Sequence, residues 1–188
     1  MEETEPLHPE SSSSSNSLKV LTYNMYMRPP GVHTNLSDYK DDRLFDFKNH
    51  VNKYDVMCLQ ELFDTFHGRK SDFIHEMTKI GFTYSLKSPS NSWWSRPIID
   101  GGLLIVSRYP VVEGDYRQFQ YGILSDGVTS KGILFAKIQL PQSTRSLCLF
   151  TTHMQASYVG CEKNRKRCLE CRMHQTREIR EFIEEKIS

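Results

Sequence analysis

Three apolar runs in this sequence each lead into a polar residue able to take part in chemistry. Asn24 follows LKVLTY, Glu61 follows DVMCLQ and His153 follows LCLFTT. Strand ends at the rim of a sheet bring side chains from distant parts of a chain into one cleft, where an amide, a carboxylate and an imidazole can converge. A single glutamate is compatible with magnesium, which typically takes one or two carboxylates and draws its other ligands from water and substrate phosphate. Each residue also has a plain reading. Asn24 can open a turn by bonding nearby backbone, Glu61 can be a solvated loop charge, and His153 can be a hydrogen-bonded structural histidine.

The elements that would position these residues can be read from periodicity. LKVLTY and YDVMCL are short apolar runs suited to buried strands, and between them DDRLFDFKNHVNK sets Leu44, Phe47 or Lys48, and Val51 at helical spacing. The order is strand, helix, strand. A second helix is expected with Ser71 as its cap, Phe73, Ile74, Met77 and Ile80 on one face, and Gly81 ending it in a left-handed conformation. FTYSLK, GGLLIVS, a stretch through Tyr116 and Phe119, KGILFAKIQL and SLCLFTT then read as consecutive antiparallel strands. A long closing helix carries Leu169, Met173, Thr176, Ile179, Ile183 and Ile187 every three or four residues, which predicts that this stripe faces the core. Mixed strands and helices of this kind make layered α+β architecture the expectation.

At 188 residues with 38% hydrophobic content, the chain can build one domain with a core. Residues 1–17, ending in SSSSSNS, are polar and aperiodic and are expected to form a disordered tail. Lys and Arg total 24 against 23 Asp and Glu, so no net field points to nucleic acid or to an acidic surface. No apolar stretch reaches the roughly 20 residues that a membrane-spanning helix needs, and the N-terminal MEETEPLHPE resembles no signal peptide. A cytoplasmic or peripheral membrane protein is expected, with its oligomeric state open. The five cysteines are odd in number and read first as reduced thiols. Cys161, Cys168, Cys171 and His174 cluster in sequence, but C-x6-C-x2-C-x2-H along a helix matches no zinc module, which leaves ordinary thiols as the better reading.

Five segments in order, LTYNMY (21–26), CLQELFD (58–64), DGGLLIVSRYPV (100–111), KGILFAKI (131–138) and TTHMQAS (151–157), resemble the endonuclease/exonuclease/phosphatase superfamily. Within it the neutral sphingomyelinases are most similar, through Phe63-Asp64 after the Glu motif, Gln155 after the His motif, and RMHQTREIREFIEEK (172–186). The resemblance runs from about Leu18 to the last residue. It implies a deoxyribonuclease I-like β-sandwich flanked by helices, with residues 18–188 forming the N-terminal part of the domain. It also implies a metal-dependent phosphodiesterase that hydrolyses sphingomyelin to ceramide and phosphocholine. Glu61 would hold Mg2+ or another divalent cation, Asn24 would help fix the metal or phosphate oxygen environment, and His153 would face the scissile phosphate. The expected partner is a membrane sphingolipid, with no nucleic acid.

Members of the superfamily complete their site with an Asp-x-Asn motif after the late helix and an Asp-His pair that supplies the general base. Neither occurs in these residues, and the pattern breaks off inside a helix, so the chain reads as the first part of a longer domain whose second sheet would come largely from the remainder. An incomplete sandwich of that kind is expected to be poorly soluble or inactive. The alternatives are another phosphoesterase on the same plan, an inositol-phosphate phosphatase or a nuclease, or an incomplete fragment that only binds lipid or a partner. Lys131 precedes its strand as a lysine does in sphingomyelinase-like members, and with Asp126 it reads either as a phosphate-facing pair or as surface charges near a turn. Trp93 and Trp94, in the polar stretch SNSWWSRP, can meet lipid or pack over a sheet edge.

Overall fold

The structure, a computed structural model, describes residues 17–27, 39–64, 68–89, 100–123, 129–157 and 164–188. The expected tail up to Asn16, the Trp93–Trp94 pair, Asp126 and Cys161 lie outside the described residues. The elements run β1 (Val20–Met27), α1 (Lys40–Asn49), β2 (Val56–Leu62), α2 (Arg69–Lys79), β3 (Tyr84–Lys87), β4 (Leu104–Ser107), β5 (Val111–Gln118), β6 (Gly132–Gln139), β7 (Ser146–Thr152) and α3 (Arg165–Ile187).

The strands form two sheets, ordered β1-β2-β4-β3 and β5-β6-β7. β1 and β2 are parallel, Tyr23 beside Leu59 and Asn24 beside Gln60, as a strand-helix-strand crossover requires. All the other pairings are antiparallel. The expected run of antiparallel strands therefore holds within each sheet but breaks between β4 and β5, where the chain crosses from one sheet to the other. Three strands of the second sheet come from this chain itself.

Side-chain alternation along β2 explains the layering. Met57 and Leu59 point to one face, where they meet Phe73, Met77 and Phe82, with Leu44 and Phe47 of α1 alongside. Val56 and Cys58 point to the other face and meet Leu134, Ala136 and Ile138 of β6. On the far side of the second sheet, Ile133 and Phe135 pack on Phe182 of α3. The architecture is thus helices, sheet, sheet, helix. A strand covered on both faces must be apolar at nearly every position, which is why β2 and β6 read as continuous apolar runs. Burying one such Phe, Leu or Met side chain contributes about 1.5–3 kcal/mol.

Two helix details differ from the sequence expectation. α2 starts at Arg69 with Gly68 at its N-cap, φ +60°, so Ser71 lies inside the first turn, and its hydroxyl donates to Asp64 Oδ2 at 3.3 Å. Gly81 does take the left-handed conformation, φ +97°, just past the end of the helix. In α3 the buried side is Cys168, Cys171, Gln175 and Phe182, whereas Leu169 and Met173 are more than half exposed. At about 100° per residue those two sit nearly opposite the buried set. Ile179 does pack against the core, so the expected stripe was right in period and wrong in facing. The cause is tertiary: Gln175 accepts from Gln155 N–H at 2.9 Å and donates to Tyr121 O at 3.0 Å. These bonds satisfy a polar side chain in a position where hydropathy alone would put leucine. No helix among the described residues is long and apolar enough to cross a membrane.

Candidate active site

β1 and β2 run in the same direction, so their C-terminal ends lie side by side and carry Asn24 and Glu61. Both strands depart from regular geometry there. The β1–β2 register shifts after Asn24, and Tyr26 and Glu61 both have φ of +53°. A left-handed conformation costs a residue with a side chain about 1–2 kcal/mol, which the surrounding contacts must offset. The kink takes Glu61 out of the strand's alternation, leaving its side chain 12% exposed at the rim.

His153 arrives from the second sheet, one residue beyond the end of β7. The two sheets are tied at this point by Gln60, whose Nε2 donates to Thr151 Oγ1 on β7 at 2.8 Å, to Thr22 Oγ1 on β1 at 3.1 Å and to Cys58 O at 3.1 Å. Glu61 Oε1 accepts a hydrogen bond from Asn24 Nδ2 at 2.8 Å and lies 3.3 Å from His153 Nε2. Asn24 is oriented in turn by Tyr26 N–H, which donates to its Oδ1 at 2.9 Å. The three residues singled out in the sequence therefore meet, one from each of three strand ends, with Asn24 and His153 converging on one carboxylate oxygen of Glu61.

The surroundings are closely packed and partly charged. Lys131, read from sequence as a possible surface charge, is buried, and its Nζ donates to Met154 O at 2.8 Å, beside His153. Tyr116 donates its hydroxyl to Ser130 O, and burial pushes that phenol well above its usual range. A Cβ at Gly132 would lie 2.3 Å from Arg117 O, and one at Gly101 2.4 Å from Ser130 O, so only glycine fits at either position. Below Glu61, the ammonium of Lys70 pairs with Asp100 at 3.1 Å, both nearly inaccessible. Burial lowers the Lys70 pKa, and Asp100 opposes that shift.

Sequence reasoning missed Gln60, Lys70 and the role of Asp100. The signal for Gln60 was its parity, shared with Val56 and Cys58, which points it at the second sheet. That for Lys70 was its spacing of three from Phe73 and seven from Met77, which puts it on the inward face of α2. A cavity of about 320 Å³ lies elsewhere, between β1 and α1, lined by residues that include Tyr23, Arg43, Phe47 and Tyr54 but none of the three convergent residues.

Among the described residues no three His, Cys, Asp or Glu side chains gather as a metal-binding group. A hard cation such as Mg2+ does not require one, since a single carboxylate with water and phosphate oxygens is a usual ligand set. The rim-exposed carboxylate of Glu61 fits that chemistry. Cys168 and Cys171 belong to a small core cluster with Ile123, and Cys171 Sγ donates to Tyr121 O at 3.4 Å.

Comparison with known proteins gives the geometry its context. A sphingomyelinase of Dictyostelium discoideum is 39% identical over 139 residues, 70% of this chain and 30% of that protein. Sphingomyelinase C of Bacillus cereus is 28% identical over 94% of this chain and 54% of its own length. The relatives of this chain include sphingomyelinases and a phospholipase C of Staphylococcus aureus. The chain spans about half the length of the bacterial relatives, and less of the Dictyostelium protein. Among solved structures, sphingomyelinase C of Streptomyces griseocarneus superposes with a TM-score of 0.74 at 22% identity, over 91% of this chain and 60% of that one. A Staphylococcus aureus beta toxin variant, solved with bound magnesium ions, gives 0.72 at 25% identity, over 90% and 59%. An endonuclease/exonuclease/phosphatase from Beutenbergia cavernae gives 0.54 at 16% identity, over 86% and 43%, which shows the shared fold. The fold is the deoxyribonuclease I-like one. No family model matches the chain.

Proposed function

We propose that this chain carries the N-terminal part of a Mg2+-dependent phosphodiesterase that hydrolyses sphingomyelin to ceramide and phosphocholine. The observation that carries the reading is the convergence of Asn24 Nδ2 and His153 Nε2 on Glu61 Oε1 at the rim of the sandwich. The sphingomyelinase relatives supply the substrate class.

In this reading Glu61 holds the divalent cation through its carboxylate. The cation, when bound, supplies charge neutralisation at the phosphate oxygens and Lewis-acid polarisation. The chain's own residues do the orienting. Asn24 has one amide hydrogen committed to Glu61 and a second available to a phosphate oxygen, and Tyr26 N–H fixes the amide plane. His153, 23% exposed, has its Nε2 at the same oxygen, and would turn that single N–H to a substrate phosphate when the cation takes its place at Glu61. Gln60, by tying β2 to β1 and β7, keeps Asn24, Glu61 and His153 from drifting apart.

The test is release of phosphocholine from sphingomyelin vesicles, with phosphatidylcholine vesicles, inositol phosphates and DNA as parallel substrates. Release from sphingomyelin above the other three supports the reading. Preference for an inositol phosphate or for DNA would transfer the chain to another phosphoesterase of the same fold, and binding to vesicles without release would leave it a lipid-binding piece.

A further inference from the structure

The buried pair of Lys70 and Asp100 lies outside the convergent trio, yet it is wired to it. Its two side chains are 1% and 4% exposed, with Nζ 3.1 Å from Asp100 Oδ1. Asp100 also accepts from two backbone donors, Gly102 N–H at 2.6 Å on Oδ1 and Asp64 N–H at 2.9 Å on Oδ2. Gly102 O accepts in turn from Leu62 N–H at 3.0 Å. The residue directly after Glu61 and the one three after it are therefore both held by the loop that Asp100 begins. Gly102, at φ +64°, lies so close to Phe63 that a Cβ would come within 2.8 Å of the ring, which closes the same loop over the intervening residue.

A buried ion pair is a weak means of stabilising a fold, because desolvation consumes most of the Coulomb attraction and an apolar pair often does as well. A paired carboxylate can do what an apolar group cannot: accept two backbone N–H groups from different segments in fixed directions. The segment so fixed is the one that keeps Glu61 at φ +53°. From this wiring we infer that Lys70 and Asp100 are positioning residues, which hold the left-handed turn at Glu61 so that its carboxylate stays aimed at the cation site. The inference rests on the reading of Glu61 as the metal carboxylate.

The experiment is Mn2+ uptake by the 188-residue chain, followed as loss of the free-ion electron paramagnetic resonance signal, with urea unfolding of each sample beside it. The unvaried chain, Glu61→Gln and the double variant Lys70→Met with Asp100→Leu are compared. Replacing both partners removes the wiring without leaving a lone buried charge. Where that variant does not fold, Lys70→Met with Asp100→Asn, which keeps one acceptor for Gly102 N–H, takes its place. The expected result is Mn2+ affinity abolished in Glu61→Gln and weakened about tenfold or more in the folded double variant, the usual range for groups that orient a metal ligand. A double variant that binds Mn2+ as the unvaried chain does, while Glu61→Gln does not, would overturn the positioning role alone. Uptake unchanged by Glu61→Gln, or no uptake by the unvaried chain, would overturn the metal reading and this inference with it.

Discussion

Gln60→Leu is the substitution that most directly probes how the sandwich is closed at its functional end. Gln60 is 9% exposed, and its amide nitrogen is shared among Thr22 Oγ1, Cys58 O and Thr151 Oγ1. Two amide hydrogens serve three acceptors, so the interaction is worth about two ordinary hydrogen bonds, each contributing about 1 kcal/mol net. Leucine keeps the volume but leaves the buried Thr151 hydroxyl short of a donor. The expected cost is about 2 kcal/mol, or about 4–8 °C in Tm for a domain of this size. The assay is urea unfolding by circular dichroism, checked for two-state behaviour with a second probe. It is run as a cycle with Thr151→Val, because the inter-sheet bond should appear as a coupling of about 0.5–1 kcal/mol. A loss below about 0.5 kcal/mol, or strict additivity in the cycle, would refute the claim that Gln60 clamps the two sheets.

Other consequences concern α3 and β2. Phe182 meets Phe135 and Phe150 edge-on at 6.4 and 6.1 Å, so Phe182→Ala should cost about 3–5 kcal/mol while Met173→Ala stays within about 0.5. Equal costs in urea titrations would reverse the facing assigned to the helix. Burial pushes the Cys58 thiol up to about 11 from an ordinary 9.0. The folded state therefore holds its proton more tightly than the unfolded state does, and the stability this gives, complete below the unfolded pKa, is lost as pH rises towards 11. Against Cys58→Ala as reference, the protein should lose about 1 kcal/mol between about pH 8 and about pH 10. Parallel stability curves for the two proteins would show that the thiol is not buried as described.

Much of the fold was legible because several elements obey local rules. β2 and β6 are covered on both faces and so spell themselves as apolar runs, and the β1-α1-β2 order gave the parallel pair that sets Asn24 beside the Glu61 strand end. What was not legible depends on partners far away in sequence. The buried face of α3 contains two thiols and a glutamine because Gln155 and Tyr121 supply bonds, so its hydropathy points the wrong way. Spacing puts Lys70 on the inward face of α2, but what would pair its charge there is not visible until Asp100, 30 residues on, is placed beside it. The candidate site shows the same division. Asn24, Glu61 and His153 stand out as polar strand ends, but the left-handed turn at Glu61 and the Gln60 clamp that bring them within hydrogen-bonding distance belong to the assembled sandwich alone.

The central claim is that Glu61 carries a divalent cation used in phosphodiester hydrolysis. The most direct test is the Mg2+ dependence of phosphocholine release from sphingomyelin vesicles, titrated for a protein that carries these residues within a complete domain and for its Glu61→Gln variant. The account expects saturable Mg2+-dependent release that falls by about a hundredfold or more in Glu61→Gln, since loss of a metal ligand should cost at least as much as loss of the groups behind it. Release that is indifferent to Mg2+, or that survives the substitution, would contradict it.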